Sequence, residues 1–349
     1  MKKWICGDLH IHTEFCGDGT LSVEEIVKRS RKYCDFFGFA GHARINSGDN
    51  YIDGTWGRPQ YEAVVNARKK FPDVTLFHCG EIEFPIPRHT MFVTTPDNNE
   101  FELADTLVRK FDRNQGVAGS EKACEEMHFV EKNYGKKPIF MIFNHPNAPD
   151  VPYEDLEKIA DSSELFKVIV CFGRNERRAR QTWDVGGEWD RLLMKGHRIF
   201  VRFEGDFHCH FEDGGKDYYP GEFQQDFLHV EENNAQEIVN AYMNGKFYSA
   251  VDNIISDPVF KVEQCGSSKK ITLEFNLNHP LEEMLIISDG KIVKTFNNIT
   301  ENKFFWQGEL PSGQYFRVRG CGKEKKRKYT DGMFTPVFML NPIFNEGEL

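Results

Sequence analysis

Short runs of apolar, β-branched and aromatic residues alternate with longer amphipathic segments through the first 250 residues of the chain. The runs predict strands at residues 4–9, 36–40, 74–79, 90–94, 138–143, 166–172 and 198–203. Two stretches, 139–143 and 168–172, are apolar at every position, as expected for strands that are buried on both faces. Because strands and helices alternate, we expect an α/β fold whose sheet is parallel and either open or closed into a barrel.

Amphipathic segments between these runs predict helices at residues 22–32, 60–70, 121–133, 188–195 and 235–244. The first segment begins at Ser22 and carries Glu25 three residues later, which is the capping-box pattern of a helix N-terminus. Gly135 and Gly196 follow two of the segments directly and predict the ends of those helices.

The pattern changes after Asp257 and Pro258. Short strands without a convincing helix between them are predicted at residues 259–263, 270–277, 283–287, 291–296, 303–307 and 315–320. Asp289-Gly290 predicts a hairpin turn between two of these strands. We therefore expect two domains, residues 1–257 and residues 258–349, of which the second is a small all-β, sandwich-like module. Aromatic residues 304–306 are expected to alternate into its core, and a partner-binding or glycan-binding face is the alternative.

Composition and charge narrow the class of protein. The chain has 349 residues with a formal net charge of −10, and its 31 Phe can build a large core, which argues against intrinsic disorder. The acidic balance argues against long nucleic acid as a partner, and the basic run at residues 323–328 is expected to be a solvated loop. Nine cysteines without a C-x-x-C pair, no long apolar run and no signal-peptide pattern predict a cytoplasmic protein with free thiols and no membrane span.

Histidines and carboxylates recur at the predicted strand ends. His10 and His12 share one face of the first strand, because side chains alternate along a strand. Since the carboxyl ends of parallel strands converge, we expect one metal centre from His10, His12, Asp18, His42, Glu81, His89, His145, Asp206 and His208. Six imidazoles with three carboxylates suit Zn, Mn or Fe, and nine ligands would saturate two or three divalent ions. The remaining histidines are expected on the surface or behind the ligands: His78, His128, His197, His210, His229 and His279.

The motifs that carry these residues resemble those of the polymerase-and-histidinol-phosphatase (PHP) superfamily. In chain order they are Asp8-Leu9-His10-Ile11-His12-Thr13, Asp18-Gly19, Gly41-His42, Gly80-Glu81, His89, Asn144-His145-Pro146 and Gly205-Asp206-Phe207-His208, within residues 4–255. The residues that precede and follow the last motif are similar to the branch that includes carbaryl-hydrolase-like proteins, whose members often carry a small β domain after the barrel.

The resemblance implies a distorted (β/α)7 barrel with a trinuclear metal site. By position, one ion would be held by His10, His12, Glu81 and Asp206, a second by Glu81, His89 and His145, and a third by Asp18, His42 and His208. Asp8 is expected to orient a ligand histidine from behind.

The leading functional hypothesis is hydrolysis of a small phosphorylated molecule by a metal-bridging hydroxide. Asp18 and His208 are assigned as catalytic residues on the side of the leaving group. Phosphate-binding candidates are Arg44, Arg88, Arg174 and Arg177. Two alternatives stay open at this point: a carbamate, ester or amide hydrolase with the same metal centre, and a metal-stabilised binding protein without turnover.

Overall fold

The computed structural model describes residues 3–43, 57–146, 151–173 and 177–349. The helices in these ranges are α1 (Val23–Ser30), α2 (Gly57–Lys70), α3 (Glu100–Phe111), α4 (Ser120–Tyr134), α5 (Tyr153–Ser162), α6 (Arg180–Trp183), α7 (Glu188–Met194) and α8 (Ala235–Met243). The five predicted helices are confirmed as α1, α2, α4, α7 and α8. At the start of α1, the Ser22 hydroxyl accepts a hydrogen bond from the Glu25 amide at 3.2 Å.

Two long helices, α3 and α5, escaped prediction. The residue before α3 is Asn99, whose side chain makes no capping hydrogen bond, and the residue before α5 is Pro152. Neither helix therefore carries the capping signature that marked α1 in the sequence. Their apolar stripes pack into the large core beside α4, where Leu103 and Leu156 are almost completely buried.

The strands of the first part of the chain are β1 (Lys3–Ile11), β2 (Phe36–Phe39), β3 (His42–Ala43), β4 (Thr75–His78), β5 (Glu81–Glu83), β6 (His89–Thr94), β7 (Ile139–Phe143), β8 (Phe166–Gly173), β9 (Arg177–Arg178), β10 (Phe200–Phe203), β11 (Gln224–Val230) and β12 (Phe247–Val251). Those of the last part are β13 (Ile255–Cys265), β14 (Ser268–Leu277), β15 (Leu281–Ser288), β16 (Lys291–Ile299), β17 (Lys303–Pro311), β18 (Tyr315–Gly322), β19 (Lys325–Lys326), β20 (Met333–Phe334), β21 (Val337–Phe344) and β22 (Gly347–Glu348). Each predicted strand is present with different ends. The longer strands β11, β12 and β21 and the short strands β3, β5, β9, β19, β20 and β22 were not predicted.

Two large sheets share this chain. The first has the order β16-β15-β18-β21-β12-β11-β1-β2-β4, and the second has the order β10-β8-β7-β6-β5-β3 with β9 paired to β8. Only two residues separate β2 from β3 and β4 from β5, so neighbouring chain segments pass together from the first sheet into the second. A backbone bridge between Ile11 and Phe207 ties the end of β1 to the segment that follows β10.

The mixed α/β class is confirmed, but the expectation of a parallel sheet is wrong in two places. β11 runs antiparallel to β1, and β6 runs antiparallel to both β5 and β7. Only residues 84–88 join β5 to β6, which is too short for the crossover that parallel neighbours require. As a consequence, the start of β6 at His89 lies at the sheet edge where β5 and β7 end.

The last part of the chain packs two sheets face to face. A four-stranded sheet of order β17-β14-β13-β22 lies against β15, β18 and β21 of the nine-stranded sheet. Their facing side chains form one buried cluster that includes Phe260, Leu273, Met284 and Leu340. Because β21 also pairs with β12, the nine-stranded sheet continues from the first part of the chain into the last.

Two further predictions concern this last part of the chain, one about a turn and one about aromatic residues. Asp289 and Gly290 have φ of 48° and 69° and form the expected hairpin turn between β15 and β16. Phe304 and Trp306 pack against the buried cluster, whereas Phe305 between them is 61% exposed.

All nine cysteines are free thiols. Among the described residues, none of the helices is long and apolar enough to cross a membrane.

Candidate metal centre

The nine histidines and carboxylates singled out in the sequence converge on one place. They form four overlapping groups in which the possible ligand atoms all lie within 4.8 Å of one another. The groups are His12, Asp18, His42 and His208; His10, His145 and Asp206; His10, His12 and Glu81; and His42, Glu81 and His89. Residues from both large sheets and from the segments that follow their strands, far apart in sequence, therefore meet in one place.

His10 and His12 form the buried inner part of the cluster, at the end of β1. Both side chains are inaccessible to solvent, and their Nε2 atoms lie only 3.2 Å apart. The same His10 nitrogen is 3.2 Å from Oε1 of Glu81 and 3.4 Å from a carboxylate oxygen of Asp206. Two imidazoles bound to one zinc ion at 2.0–2.1 Å would place their nitrogens about 3.4 Å apart, so the pair is already close to ligand spacing.

Glu81 lies at the centre of the cluster, at the start of β5. Its Oε1 is 2.9 Å from Nε2 of His145 and 3.0 Å from Nδ1 of His89, and its Oε2 is 3.1 Å from Nδ1 of His42. Burial alone would raise the pKa of this carboxyl, but the nearby His10 and His89 hold it well below its usual value. An ionised carboxylate with histidines on both oxygens can bridge two cations.

Neighbouring carboxylates raise the pKa of both His89 and His145. Burial would lower the pKa of both imidazoles, but Glu81 with Glu83 raises that of His89 to about 9. The carboxylates of Glu204 and Glu81 raise the pKa of His145 to about 10. Protons therefore occupy these rings when no cation is bound, and a divalent ion would compete with those protons for the same nitrogens.

Asp18, His42 and His208 form the outer part of the cluster. Oδ2 of Asp18 lies 3.1 Å from Nε2 of His42 and 3.3 Å from Nε2 of His208. The His208 ring stacks on His12 with centroids 3.9 Å apart, and its Nδ1 is 2.7 Å from the backbone carbonyl oxygen of Asp206. That carbonyl can only accept a hydrogen bond, so Nδ1 carries the proton and Nε2 faces Asp18. Asp18, at 39% exposure, lies on the solvent side of the cluster.

The backbone is strained at two of these residues. His145 and Asp206 have φ of 45° and 47°, in the left-handed region that non-glycine residues rarely adopt. Gly205 precedes Asp206 in the chain; its amide donates to Oδ2 of Asp8 at 2.9 Å, and a Cβ at Gly205 would approach that oxygen to 2.5 Å. Strained conformations of this kind persist where the surrounding structure over-determines them, as it does at functional sites.

Three buried charged side chains, Asp8, Arg202 and Asp226, form an ion-pair group next to His10. The fully buried guanidinium of Arg202 donates to Asp8 at 2.7 Å and to Asp226 at 2.8 Å. Asp8 also accepts a hydrogen bond from the backbone amide of His10 at 3.0 Å. Asp8 thus contacts the predicted ligand His10 through the backbone amide of His10.

Two acidic residues next to the cluster were missed in the sequence. The carboxylate of Glu204 lies 2.8 Å from Nδ1 of His10 and 2.8 Å from Nδ1 of His145, and Glu83 lies 2.9 Å from Nε2 of His89. Burial would raise the pKa of Glu204, but His145 and His10 lower it to about 2. The signal was the two-residue alternation Glu204-x-Asp206-x-His208 and Glu81-x-Glu83, which places these acids on the ligand face of their strands.

The predicted phosphate-binding arginines are only partly described. Arg44 and Arg174 lie outside the described residues, and Arg177 is described only through its backbone in β9. Arg88 is half-buried, directly precedes His89 and has a φ of 119°. Its position beside a predicted ligand is compatible with a role toward substrate.

The six remaining histidines do not join the cluster, but two of them are buried, contrary to expectation. His210 is stacked on Tyr219 at 3.6 Å and lies 3.1 Å from Glu222. His78 packs between Tyr61 and Phe101. The alternation that extends from His208 to His210 therefore leads into an aromatic contact and not to a further ligand.

The β19–β20 hairpin packs on the loop that follows His208. Its Tyr329 ring stacks on Phe211 with centroids 5.4 Å apart, and the Tyr329 hydroxyl donates to Glu222 at 2.7 Å. Lys328 also contacts Glu222 at 2.6 Å, and Lys325 contacts Asp252 at 2.6 Å. The basic run at 323–328, expected to be solvated, thus places two of its lysines on acids of the first part of the chain.

The residues fit bound divalent cations. Oε2 of Glu81 and Nδ1 of His42 are buried and 3.1 Å apart, yet neither has a hydrogen-bond partner among the described residues. Buried polar atoms without partners are costly, and an ion between them would satisfy both. Imidazole nitrogens and carboxylate oxygens are a donor set suited to Zn, Mn or Fe.

Comparison with known proteins gave matches among solved structures alone. No family model and no curated protein matches the sequence. One similar structure is a two-domain protein containing a predicted PHP-like metal-dependent phosphoesterase from Bacteroides vulgatus, with a TM-score of 0.49, 13% identity, and coverage of 96% of this chain and 95% of that chain. Another is the lesion-specific endonuclease Q of Pyrococcus furiosus, with a TM-score of 0.45, 11% identity, and coverage of 69% of this chain and 56% of that chain.

A third similar structure is an endonuclease Q in complex with a 27-mer duplex that carries an abasic lesion, with a TM-score of 0.45, 12% identity, and coverage of 69% of this chain and 56% of that chain.

Proposed function

We propose that this chain is a metal-dependent phosphoesterase of the PHP superfamily that hydrolyses a small phosphorylated molecule. The observation that carries the proposal is the meeting of nine histidine and carboxylate side chains around Glu81, with ligand atoms at mutual distances suited to shared cations. We further propose that the strands of the two large sheets that lie in residues 1–257 form the distorted (β/α)7 barrel, that residues 1–257 are the hydrolase domain and residues 258–349 the β-sandwich-like domain, and that the protein is cytoplasmic.

The proposed ligand sets follow the groups in space. His10, His12, Glu81 and Asp206 would hold one ion, and Asp18, His42 and His208 would hold an outer one. Glu81 with His89 and His145 would hold another, although His145 also groups with His10 and Asp206 and so lies between two of the ions. The proposed cofactors are two or three ions of Zn, Mn or Fe.

Divalent cations at this site would lower the pKa of a bound water and polarise a phosphoryl oxygen. The chain supplies the remaining elements. Asp18 and His208, on the solvent side of the cluster, are placed to act at the leaving group, with Nε2 of His208 facing Asp18 at 3.3 Å. Arg88, beside His89, is proposed to bind the phosphate, together with Arg44, Arg174 and Arg177.

The experiment that tests this function compares ester classes on protein loaded with Zn, Mn or Fe. We expect turnover of p-nitrophenyl phosphate, competitive inhibition by inorganic phosphate and no turnover of naphthyl carbamate. The reverse selectivity would assign the centre to a carbamate or ester hydrolase. Cleavage of a lesion-containing duplex with no turnover of small phosphate esters would assign it to nucleic acid, and no turnover of any class by a metal-loaded sample would leave a binding protein.

A further inference from the structure

The carboxylate of Glu204 contacts two histidines of the cluster at once. Its Oε2 is 2.8 Å from Nδ1 of His10 with hydrogen-bond geometry, and its Oε1 is 2.8 Å from Nδ1 of His145. The three side chains come from the region after β10, the end of β1 and the end of β7. Glu204 and His10 are completely buried, so water cannot replace these contacts.

The contacts determine which nitrogen of each ring can bind a cation. An ionised carboxylate only accepts hydrogen bonds, so a ring nitrogen that faces it must carry the proton. When a divalent cation in the cluster takes the place of the proton on Nε2, Nδ1 keeps its proton and the lone pair of each ring lies on Nε2. Those are the atoms that face the cluster: Nε2 of His10 lies 3.2 Å from Nε2 of His12, and Nε2 of His145 lies 2.9 Å from Oε1 of Glu81.

We propose that Glu204 is a positioning residue that holds His10 and His145 together in the metal-binding tautomer, so that one carboxylate controls two ligands of the centre. This inference rests on the proposed metal centre and deepens it. Oε2 of Glu204 is hydrogen-bonded to His10, and Oε1 lies within ion-pair distance of His145. Arg202, the nearby cation, reaches only to 3.8 Å.

If Glu204 has this role, the isosteric variant Glu204→Gln should keep its contact with one of the two histidines and lose the other. A side-chain amide has one accepting oxygen and one donating NH2 group, so it can accept a proton from only one of the two rings. The other ring would face a donor, would carry its lone pair on Nδ1 and would present N–H at Nε2 to the cluster. One ligand is then lost although the shape of the side chain is nearly unchanged.

The test measures metal binding by calorimetric titration of the metal-free protein with Zn²⁺, independently of any substrate. For Glu204→Gln we expect the Zn²⁺ affinity of at least one site to fall about 10–100-fold. Glu126→Gln is the control, because it makes the same change at a fully buried glutamate of α4 that is not in the cluster and should leave the titration unchanged. Equal Zn²⁺ affinity in wild type and Glu204→Gln would overturn the inference, whereas a wild type that binds no Zn²⁺ would instead refute the proposed metal centre.

A second measurement needs no variant of Glu204. In ¹⁵N-histidine spectra of the Zn-loaded wild-type protein, we expect His10 and His145 to be bound through Nε2 and to retain Nδ1–H. Binding of either ring through Nδ1 would contradict the role of Glu204, even if Glu204→Gln fails to fold.

Discussion

The carboxylate of Asp190 on α7 receives two hydrogen bonds from the guanidinium of Arg317 on β18, at 2.8 and 2.7 Å, in a contact with no solvent exposure on either side. The Tyr315 hydroxyl donates to the same carboxylate at 2.6 Å. This ion pair joins a helix of the first part of the chain to a strand of the last part. The two parts are therefore linked by a buried polar contact as well as by the continuous sheet through β12 and β21.

We expect Asp190→Ala to destabilise the protein by about 3–5 kcal/mol, because it leaves the buried charge of Arg317 without a partner. Urea denaturation followed by circular dichroism measures the change. The double variant Asp190→Leu/Arg317→Met should recover much of the loss, since neither charge then remains. A single variant as stable as wild type would show that the pair contributes little.

Glu81→Gln should weaken binding of metal by about 10–100-fold and reduce hydrolysis at least as much, because a neutral amide cannot bridge two cations. The matched control is Glu24→Gln, which removes the same charge from a carboxylate at 40% exposure on α1. Zn²⁺ titration and initial rates on p-nitrophenyl phosphate provide the two readouts. If Glu81→Gln and Glu24→Gln behave alike in both, Glu81 is not a bridging ligand.

Removal of metal should lower thermal stability as well as activity. The proposed ligands come together only in the folded chain, so a cation that binds them stabilises the folded state over the unfolded one. At a metal concentration 100 times the dissociation constant, one bound ion stabilises the folded chain by about 2.7 kcal/mol. The melting temperature should therefore rise with Zn²⁺ concentration and fall on adding a chelator. A melting temperature that does not respond to either would argue against a metal centre in the folded protein.

Because the His78 side chain is buried and its pKa is lowered, we expect the protein to lose stability on acidification. Burial, and secondarily the charge of Arg68, lowers the pKa of His78 to about 3, and neither ring nitrogen has a hydrogen-bond partner among the described residues. The unfolded chain takes up a proton on this ring below about pH 6.5, whereas the folded chain does so only near pH 3, so stability is lost as pH falls between these values. Between pH 7 and pH 5 the loss from this group is about 2 kcal/mol.

The variant His78→Phe isolates this contribution, because Phe fills a similar volume and does not titrate. We expect the free energy of unfolding of His78→Phe to fall less than that of wild type between pH 7 and pH 5, as measured by urea denaturation at each pH. Equal pH dependence in the two proteins would mean that His78 is protonated in the folded state.

We expect the β19–β20 hairpin to restrict the motion of residues 208–222, the segment that begins at His208. Tyr329→Ala removes both the hydrogen bond to Glu222 and the ring contact with Phe211, so hydrogen exchange in residues 208–222 should become faster. Met333→Ala is the control, since Met333 lies on the same hairpin at 48% exposure. Similar exchange in the two variants would show that the hairpin does not restrain this loop.

Much of the cluster could be predicted because its signals are local. The alternation of His10 with His12, and of Asp206 with His208, follows from the two-residue period of a strand, which is a property of any extended chain. Glu204 and Glu83 obey the same period and could have been included. They were missed because an acid beside other acids in a strand has no distinctive type, and its partners, His145 for Glu204 and His89 for Glu83, are identified only by contact in space.

The sequence by itself determined the strand runs, the main helices and the residue types at each strand end, because periodicity, capping and turn chemistry act over a few neighbouring residues. Tertiary structure alone decided that β6 reverses direction, that β12 pairs with β21, and that one carboxylate lies between His10 and His145. These features depend on pairing between segments that are up to nearly two hundred residues apart. The free energy of such pairing comes from the packing of whole strands and helices, which no local pattern records.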